Sequence, residues 1–282
     1  MSVYYINDTY QVDPIAISIL DRGLNIGDAI FETIRVNTQG KIPELDQHLQ
    51  RLYAGMAVLG IKHAITHQLV QKVCADLILK NKLIGQRAFL RILVTRGEST
   101  RGLSICPESS PTIIIRMDAL PNQIKQQTLG FAEFPINEHS PLIAIKHNNY
   151  LERILARNQA QQQGYDDVLF CNTKGFITET SIANFFLLKQ ACLITPPLSD
   201  GVLPGTTRAR IIKIATQLGV SCAEQSISVS DIDASCTAFT TNSLQLATIV
   251  SRLGDTTLAT VSTIVDAIIS QLKRFHAEVV TG

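Results

Sequence analysis

Short apolar runs of strand length dominate this chain, and they outnumber its amphipathic helical stretches without alternating with them one for one. A doubly wound parallel sheet needs a helix after each strand, so the pattern points instead to an α+β architecture. Val3 to Ile6, Ala29 to Val36, Ala88 to Thr95 and Thr112 to Met117 read as strands, and Asn37-Thr38-Gln39-Gly40 turns the second of them into Lys41 to Leu45 as a hairpin. Leu45, Leu49, Leu52, Met56 and Leu59 recur at three- and four-residue steps, the stripe of a helix that stops near Gly60. Another helix runs from an N-cap at Thr66 to about Leu83, with Leu69, Val73 and Leu77 inward.

Asp118-Ala119-Leu120-Pro121-Asn122-Gln123 is the most linker-like stretch, and 282 residues suffice for two domains. The boundary is therefore placed there: an N-terminal domain over 1–118, a linker over 119–125 and a larger C-terminal domain over 126–282. Beyond it, strands are expected near Leu129 to Phe134, Leu142 to Ile145, Asp167 to Cys171, Phe176 to Thr178, Asn184 to Leu188 and Cys192 to Thr195. Helices are expected near Tyr150 to Gln163, Thr206 to Leu218 and Ser262 to Ala277.

Composition excludes several partners. The 25 basic residues nearly balance 24 acidic ones, so no bulk field gathers nucleic acid or anionic lipid. The longest apolar stretches fall short of a membrane span and Met1 to Ile6 is no signal peptide, so the expected location is cytoplasmic. The six cysteines form no CxxC pair, and His63 and His67, though four apart, have no third ligand nearby; no metal is expected. Neither GxGxxG nor a GxxxxGK[ST] loop is present.

Three places can carry chemistry. Lys146 ends the apolar run Pro141-Leu142-Ile143-Ala144-Ile145, so its amine leaves a buried strand into an enclosed space, where it becomes a candidate nucleophile; read alone, it is more often a strand-end lysine reaching the surface. Glu179 lies between two strand-like segments, and a buried glutamate needs a cationic or proton-sharing partner such as a pyridine nitrogen. Gly201-Val202-Leu203-Pro204-Gly205-Thr206-Thr207-Arg208 opens an amphipathic helix with backbone N–H groups and two hydroxyls, either a phosphate seat or an ordinary cap.

Together these residues resemble the class IV, fold type IV family of pyridoxal-phosphate enzymes, which holds branched-chain and D-amino acid aminotransferases and aminodeoxychorismate lyases. The resemblance extends over nearly the whole chain. It includes Asp21-Arg22-Gly23-Leu24, Gly27-Asp28-Ala29-Ile30-Phe31-Glu32-Thr33, His48-Leu49-Gln50-Arg51-Leu52, Lys146, the Glu179 to Asn184 segment and Gly205-Thr206-Thr207-Arg208. It implies a smaller N-terminal α/β sandwich, a larger C-terminal pseudo-barrel α/β domain, a homodimer and a small-molecule substrate. By this resemblance Lys146 would carry pyridoxal 5'-phosphate covalently and then shuttle a proton, Glu179 would hold the proton on the ring nitrogen, and Arg51, Thr206, Thr207 and Ser243 would seat the phosphate.

Within the family, Phe31 stands where D-amino acid aminotransferases use tyrosine, and no histidine lies two residues beyond Arg96 or Arg101. Tyr150 comes one position early for the Gly-Gly-Asn-Tyr pattern of branched-chain enzymes. The run Lys146-His147-Asn148-Asn149-Tyr150-Leu151-Glu152 and the loop from Arg96 to Arg101 are most similar to aminodeoxychorismate lyases. That similarity implies a lyase of folate biosynthesis giving 4-aminobenzoate and pyruvate, with a branched-chain or D-amino acid aminotransferase as the alternative. It also implies Arg91 and Arg101 as cations for two substrate carboxylates, Asn242 as a polar contact and Thr33 near the reacting centre; Arg91 replaces a lysine of those lyases.

Overall fold

The computed structural model describes residues 1–62, 65–99, 102–106 and 109–277. These fall into two units, one holding Met1–Pro121 with Ile145–Asn149, the other Asn122–Ala144 and the chain from Tyr150 on.

The first unit runs Val3–Ile6 (β1), Thr9–Val12 (β2), Arg22–Ile26 (α1), Ala29–Val36 (β3), Leu45–Leu59 (α2), His67–Lys80 (α3), Ala88–Thr95 (β4) and Thr112–Ala119 (β5). Its strands form one antiparallel sheet in the order β2-β1-β5-β4-β3. The strand period of two sorts the side chains: Ile30, Ile34, Leu90, Ile92, Val94, Ile115 and Met117 share one buried face, while Phe31, Thr33 and Arg91 belong to the other. Leu45, Leu49, Leu52 and Met56 of α2 are buried as the stripe requires, and the helix ends on left-handed Gly60. Thr66 caps α3 by accepting from Leu69 N at 3.1 Å. In α3 Leu69 is half-exposed, and Val70 is buried with Val73, Cys74 and Leu77.

The expected hairpin after β3 does not form. Asn37 Oδ1 accepts from Gln39 N and Lys41 N, which closes the turn. Pro43 then lacks a ladder donor, and Glu44 turns left-handed at φ 58° to start α2. β3 pairs instead with β4, from Ala29↔Thr95 to Val36↔Ala88, and is the edge of its sheet.

The second unit runs Gln126–Phe131 (β6), Leu151–Gln162 (α4), Asp167–Cys171 (β7), Ile177–Thr180 (β8), Asn184–Lys189 (β9), Cys192–Thr195 (β10), Thr206–Gln217 (α5), Cys222–Glu224 (β11), Thr237–Thr241 (β12), Thr248–Leu253 (β13), Thr256–Thr257 (β14) and Thr263–Ala277 (α6). Its sheet follows β11-β10-β9-β12-β13-β6-β7-β8, and β8 also pairs with β9, so β9-β12-β13-β6-β7-β8 close into a barrel-like ring. The closing pair is Glu179↔Asn184. β9 is buried on both faces, which explains its unbroken Phe185-Phe186-Leu187-Leu188 run. Phe185 and Leu187 join one core with Leu129, Leu169 and Val250, while Phe186 and Leu188 join another with Ile211 and Ile214 of α5 and Ile268 and Leu272 of α6.

Leu142 to Ile145 is a turn rather than the expected strand, because Ile143 N bonds back to Ser140 O at 3.1 Å and Leu142 N to Ser140 Oγ at 3.3 Å. Ile145–Asn149 belong to the first unit, so the division between units is not a single cut in the chain. No helix among the described residues is long and apolar enough to cross a membrane. All six cysteines are free, and no group of three His, Cys, Asp or Glu side chains that could hold a metal occurs among the described residues. His63 lies outside them.

Candidate active site

Lys146 is held by the free edge of β3. Phe31 N donates to Lys146 O at 2.9 Å, Asn148 N donates to Ala29 O at 2.9 Å, and Ile30 and His147 form an antiparallel bridge. An edge strand presents unpaired backbone groups, and residues 146–148 meet them without forming a strand of their own. Lys146 is thus half-buried on an irregular segment, not the end of a buried strand. Gly27, left-handed at φ 69°, lets this segment approach: a Cβ there would lie 2.1 Å from Asn149 Oδ1. Asp21 supports the same corner, capping α1 through Gly23 N at 2.8 Å and accepting from the hydroxyls of Thr95 and Thr112. Asp28 accepts from Arg22 Nε at 2.8 Å and Arg96 Nε at 2.7 Å. Burial alone would raise the Asp28 carboxyl, but the two guanidinium groups outweigh it and hold it below its ordinary value.

The Lys146 amine lies over the Phe31 ring, 4.6 Å from its centroid, and the Arg91 guanidinium lies 3.9 Å from the same centroid. An aromatic ring at these distances attracts both cations. Thr33 is directly opposite Arg91 across β3 and β4, on the face that carries Phe31. The sequence-expected residues Thr33, Arg91 and Lys146 are therefore brought together around Phe31. Arg101 lies outside the described residues.

Arg51 is on the helix-covered side of β3. Its Nε donates to Glu32 Oε1 at 2.7 Å and its Nη2 to Glu32 Oε2 at 2.8 Å, a bidentate pair that orients the guanidinium. His48 Nδ1 lies 2.8 Å from Glu32 Oε2. Burial would raise the Glu32 carboxyl, but Arg51 and then His48 outweigh it and hold it down to about 2, against an ordinary 4.5. A depressed carboxyl stabilises the fold above its unfolded value and loses that contribution as pH falls toward the folded one. The expected result is about 3 kcal/mol of stability lost between roughly pH 4.5 and 2. Urea unfolding across that range checks it, since Glu32→Gln should lack this part of the acid slope.

In the second unit Glu179 is 3% exposed. It accepts from Arg153 Nη2 at 2.6 Å, Asn184 Nδ2 at 3.0 Å and Leu203 N at 3.1 Å. Three donors thus converge on its two oxygens. Burial would lower the Arg153 guanidinium, but Glu179 more than compensates and raises it. Arg153 also donates to the carbonyls of Thr180 and Ser181. No sequence signal marked Arg153: it is one polar residue on an amphipathic helix, and only the folded chain lays it on β8.

Asn184 carries the carboxylate toward α5, since its Nδ2 also donates to Leu203 O at 3.0 Å. A Cβ on Gly205 would lie 2.0 Å from Asn184 Oδ1, so glycine alone permits this approach. α5 begins at Gly205 with no side-chain cap, and Thr206 and Thr207 are buried in its first turn. Ser243 and Asn242 are half-buried in the turn after β12, where Asn242 Oδ1 accepts from Leu244 N and Gln245 N. The side-chain oxygen of Asn242 is thus held by its own turn.

These groups fit pyridoxal phosphate by their chemistry. One unit offers an amine beside an aromatic ring and an oriented guanidinium, and the other a buried carboxylate hydrogen-bonded to the chain that leads into an uncapped helix N-terminus. The model of the family described as amino-transferase class IV matches residues 29–253, and the chain belongs to this family of pyridoxal-phosphate-dependent enzymes. A Methanocaldococcus jannaschii protein provisionally named a branched-chain-amino-acid aminotransferase is 32% identical over 221 residues, covering 77% of this chain and 75% of its own. The structure of a Legionella pneumophila protein provisionally named 4-amino-4-deoxychorismate lyase is 32% identical, with a TM-score of 0.87 over 93% of this chain and 96% of that one. The 4-amino-4-deoxychorismate lyase of Pseudomonas aeruginosa is 26% identical, with a TM-score of 0.82 over 98% of this chain and 100% of that one.

Proposed function

We propose that this enzyme is a 4-amino-4-deoxychorismate lyase, converting its substrate into 4-aminobenzoate and pyruvate in folate biosynthesis. The observation that carries the reading is the guanidinium of Arg91 on the same ring as the Lys146 amine, with Thr33 opposite it. A cation beside the reacting amine suits a substrate bearing carboxylates better than an aliphatic side chain. The similarity to the Legionella and Pseudomonas proteins supports the same choice.

In this reading Lys146 anchors the cofactor, Glu179 faces the ring nitrogen, and Arg51, Thr206, Thr207 and Ser243 hold the phosphate. Bound pyridoxal phosphate supplies an electron sink for the pair left when a proton leaves the carbon bearing the substrate amine. Lys146 takes that proton. Arg91 and Arg101 each hold a carboxylate, Asn242 makes a polar contact, and the Thr33 hydroxyl orients the departing enolpyruvyl group. The substrate is the sum of the two products, so no co-substrate is needed, and aromatisation drives the departure. The enzyme works as a cytoplasmic homodimer.

The relatives named as branched-chain aminotransferases favour a second reading, amino transfer with the same cofactor. A coupled pyruvate assay with 4-amino-4-deoxychorismate, run beside D-alanine or L-leucine with 2-oxoglutarate, separates the two. The expected result is pyruvate and 4-aminobenzoate in equal amounts. Rapid amino transfer without aminobenzoate would establish the second reading.

A further inference from the structure

Glu32 places a charge where the alternation of its strand calls for an apolar residue. It follows Ile30 and precedes Ile34 and Val36 on the buried face of β3, opposite Ile92 of β4, and its exposure is 0%. An apolar residue would continue that alternation, whereas a carboxylate there loses its hydration and must be paired. It is paired by two residues of one helix face, His48 and Arg51, three apart in α2. The two bonds from Arg51 use Nε and Nη2, which lie on one edge of the planar guanidinium. A plane held along one edge has a single direction for its other side. A lysine at 51, with one nitrogen, could not be held this way.

We infer that Glu32 and His48 are positioning residues that aim Arg51 at the phosphate of the cofactor, and that they set the preference for phosphorylated over unphosphorylated pyridoxal. The inference rests on the reading of Arg51 as a phosphate cation. Glu32 contributes the fixed carboxylate, and His48 holds the Oε2 atom that accepts from Nη2. Neither residue needs to touch the cofactor. A guanidinium held in its binding geometry beforehand does not lose its rotamer freedom when the anion arrives, so affinity rises without a new contact.

The test compares two ligands that differ only in the phosphate. Apoprotein prepared from the holoenzyme is titrated with pyridoxal phosphate and with pyridoxal, following the absorbance of the bound ring. Glu32→Asp keeps the charge but withdraws the carboxylate, and His48→Gln keeps Glu32 while altering its second support. Both variants are expected to bind pyridoxal phosphate at least about tenfold more weakly, with pyridoxal changed by less than about twofold. Equal weakening of both ligands, or no weakening of either, overturns the inference, because a packing role does not distinguish them. Thermal melts identify a variant that fails to fold, and His48→Gln, which leaves the Arg51 bonds to Glu32 possible, carries the test if Glu32→Asp does so. Arg51→Lys is the separate control: if it too shows no phosphate-selective loss, the assignment of Arg51 to the phosphate is what has failed.

Discussion

Lys146→Ala is expected to lower turnover by at least about a thousandfold, since both the nucleophilic and the proton-transfer role proposed for it disappear together. The same substitution should abolish covalent capture of the cofactor by borohydride, which in the wild-type protein adds its mass to the peptide containing Lys146. The loss is expected to be chemical rather than structural. The backbone at this position is secured by Phe31 N on Lys146 O and by Asn148 N on Ala29 O, and neither bond uses the side chain. The melting temperature should therefore stay close to that of the wild-type apoprotein. Lys146→Arg keeps a cation near Phe31 but is too weak a nucleophile to capture an aldehyde, so it should be as inactive as alanine. A Lys146→Ala variant to which borohydride still fixes the cofactor, with turnover unchanged, would remove Lys146 from the mechanism.

Glu179→Ala is expected to cost about 3–5 kcal/mol of unfolding free energy, because it leaves the Arg153 guanidinium in the protein without its carboxylate. The same residue forms the strand pair that closes the ring, and Leu203 N, just before α5, loses its acceptor. Urea denaturation measures the loss. Adding Arg153→Met should recover part of it, since the stranded charge is then gone, whereas further destabilisation would show that Arg153 matters through packing alone. Glu179→Gln keeps the shape but not the charge. It is expected to fold and to lower turnover by about 10²–10³-fold, the usual range for removing one electrostatic partner of a reacting group.

Both predictions join a residue legible in the sequence to a neighbour that was not. Lys146 and Glu179 stand out as polar residues set against apolar runs, and the helices α2, α5 and α6 announce themselves by their apolar stripes. β3, β4 and β10 were readable to the residue as apolar runs with clear ends. Other segments were not: α1, β11 and β12 carry no unbroken apolar run, and Leu142 to Ile145 has strand composition but closes on Ser140. The hairpin expected after Asn37 failed for a related reason. Its turn residues were right, but a turn does not specify its second strand, and β4 supplied the partner from much further along the chain.

By itself the amino-acid order determined the family and the two-part α+β plan and marked Lys146 and Glu179 as candidates, because motifs, caps and periodicity act over a few residues. Only the tertiary structure decided that Lys146 rides on the edge of β3, that Arg91 shares an aromatic ring with it, that Glu32 clamps Arg51 and that Arg153 faces Glu179. Those contacts join residues far apart in the chain. Long side chains can be drawn to a partner only after sheets and helices have set the distance, so no local pattern encodes them.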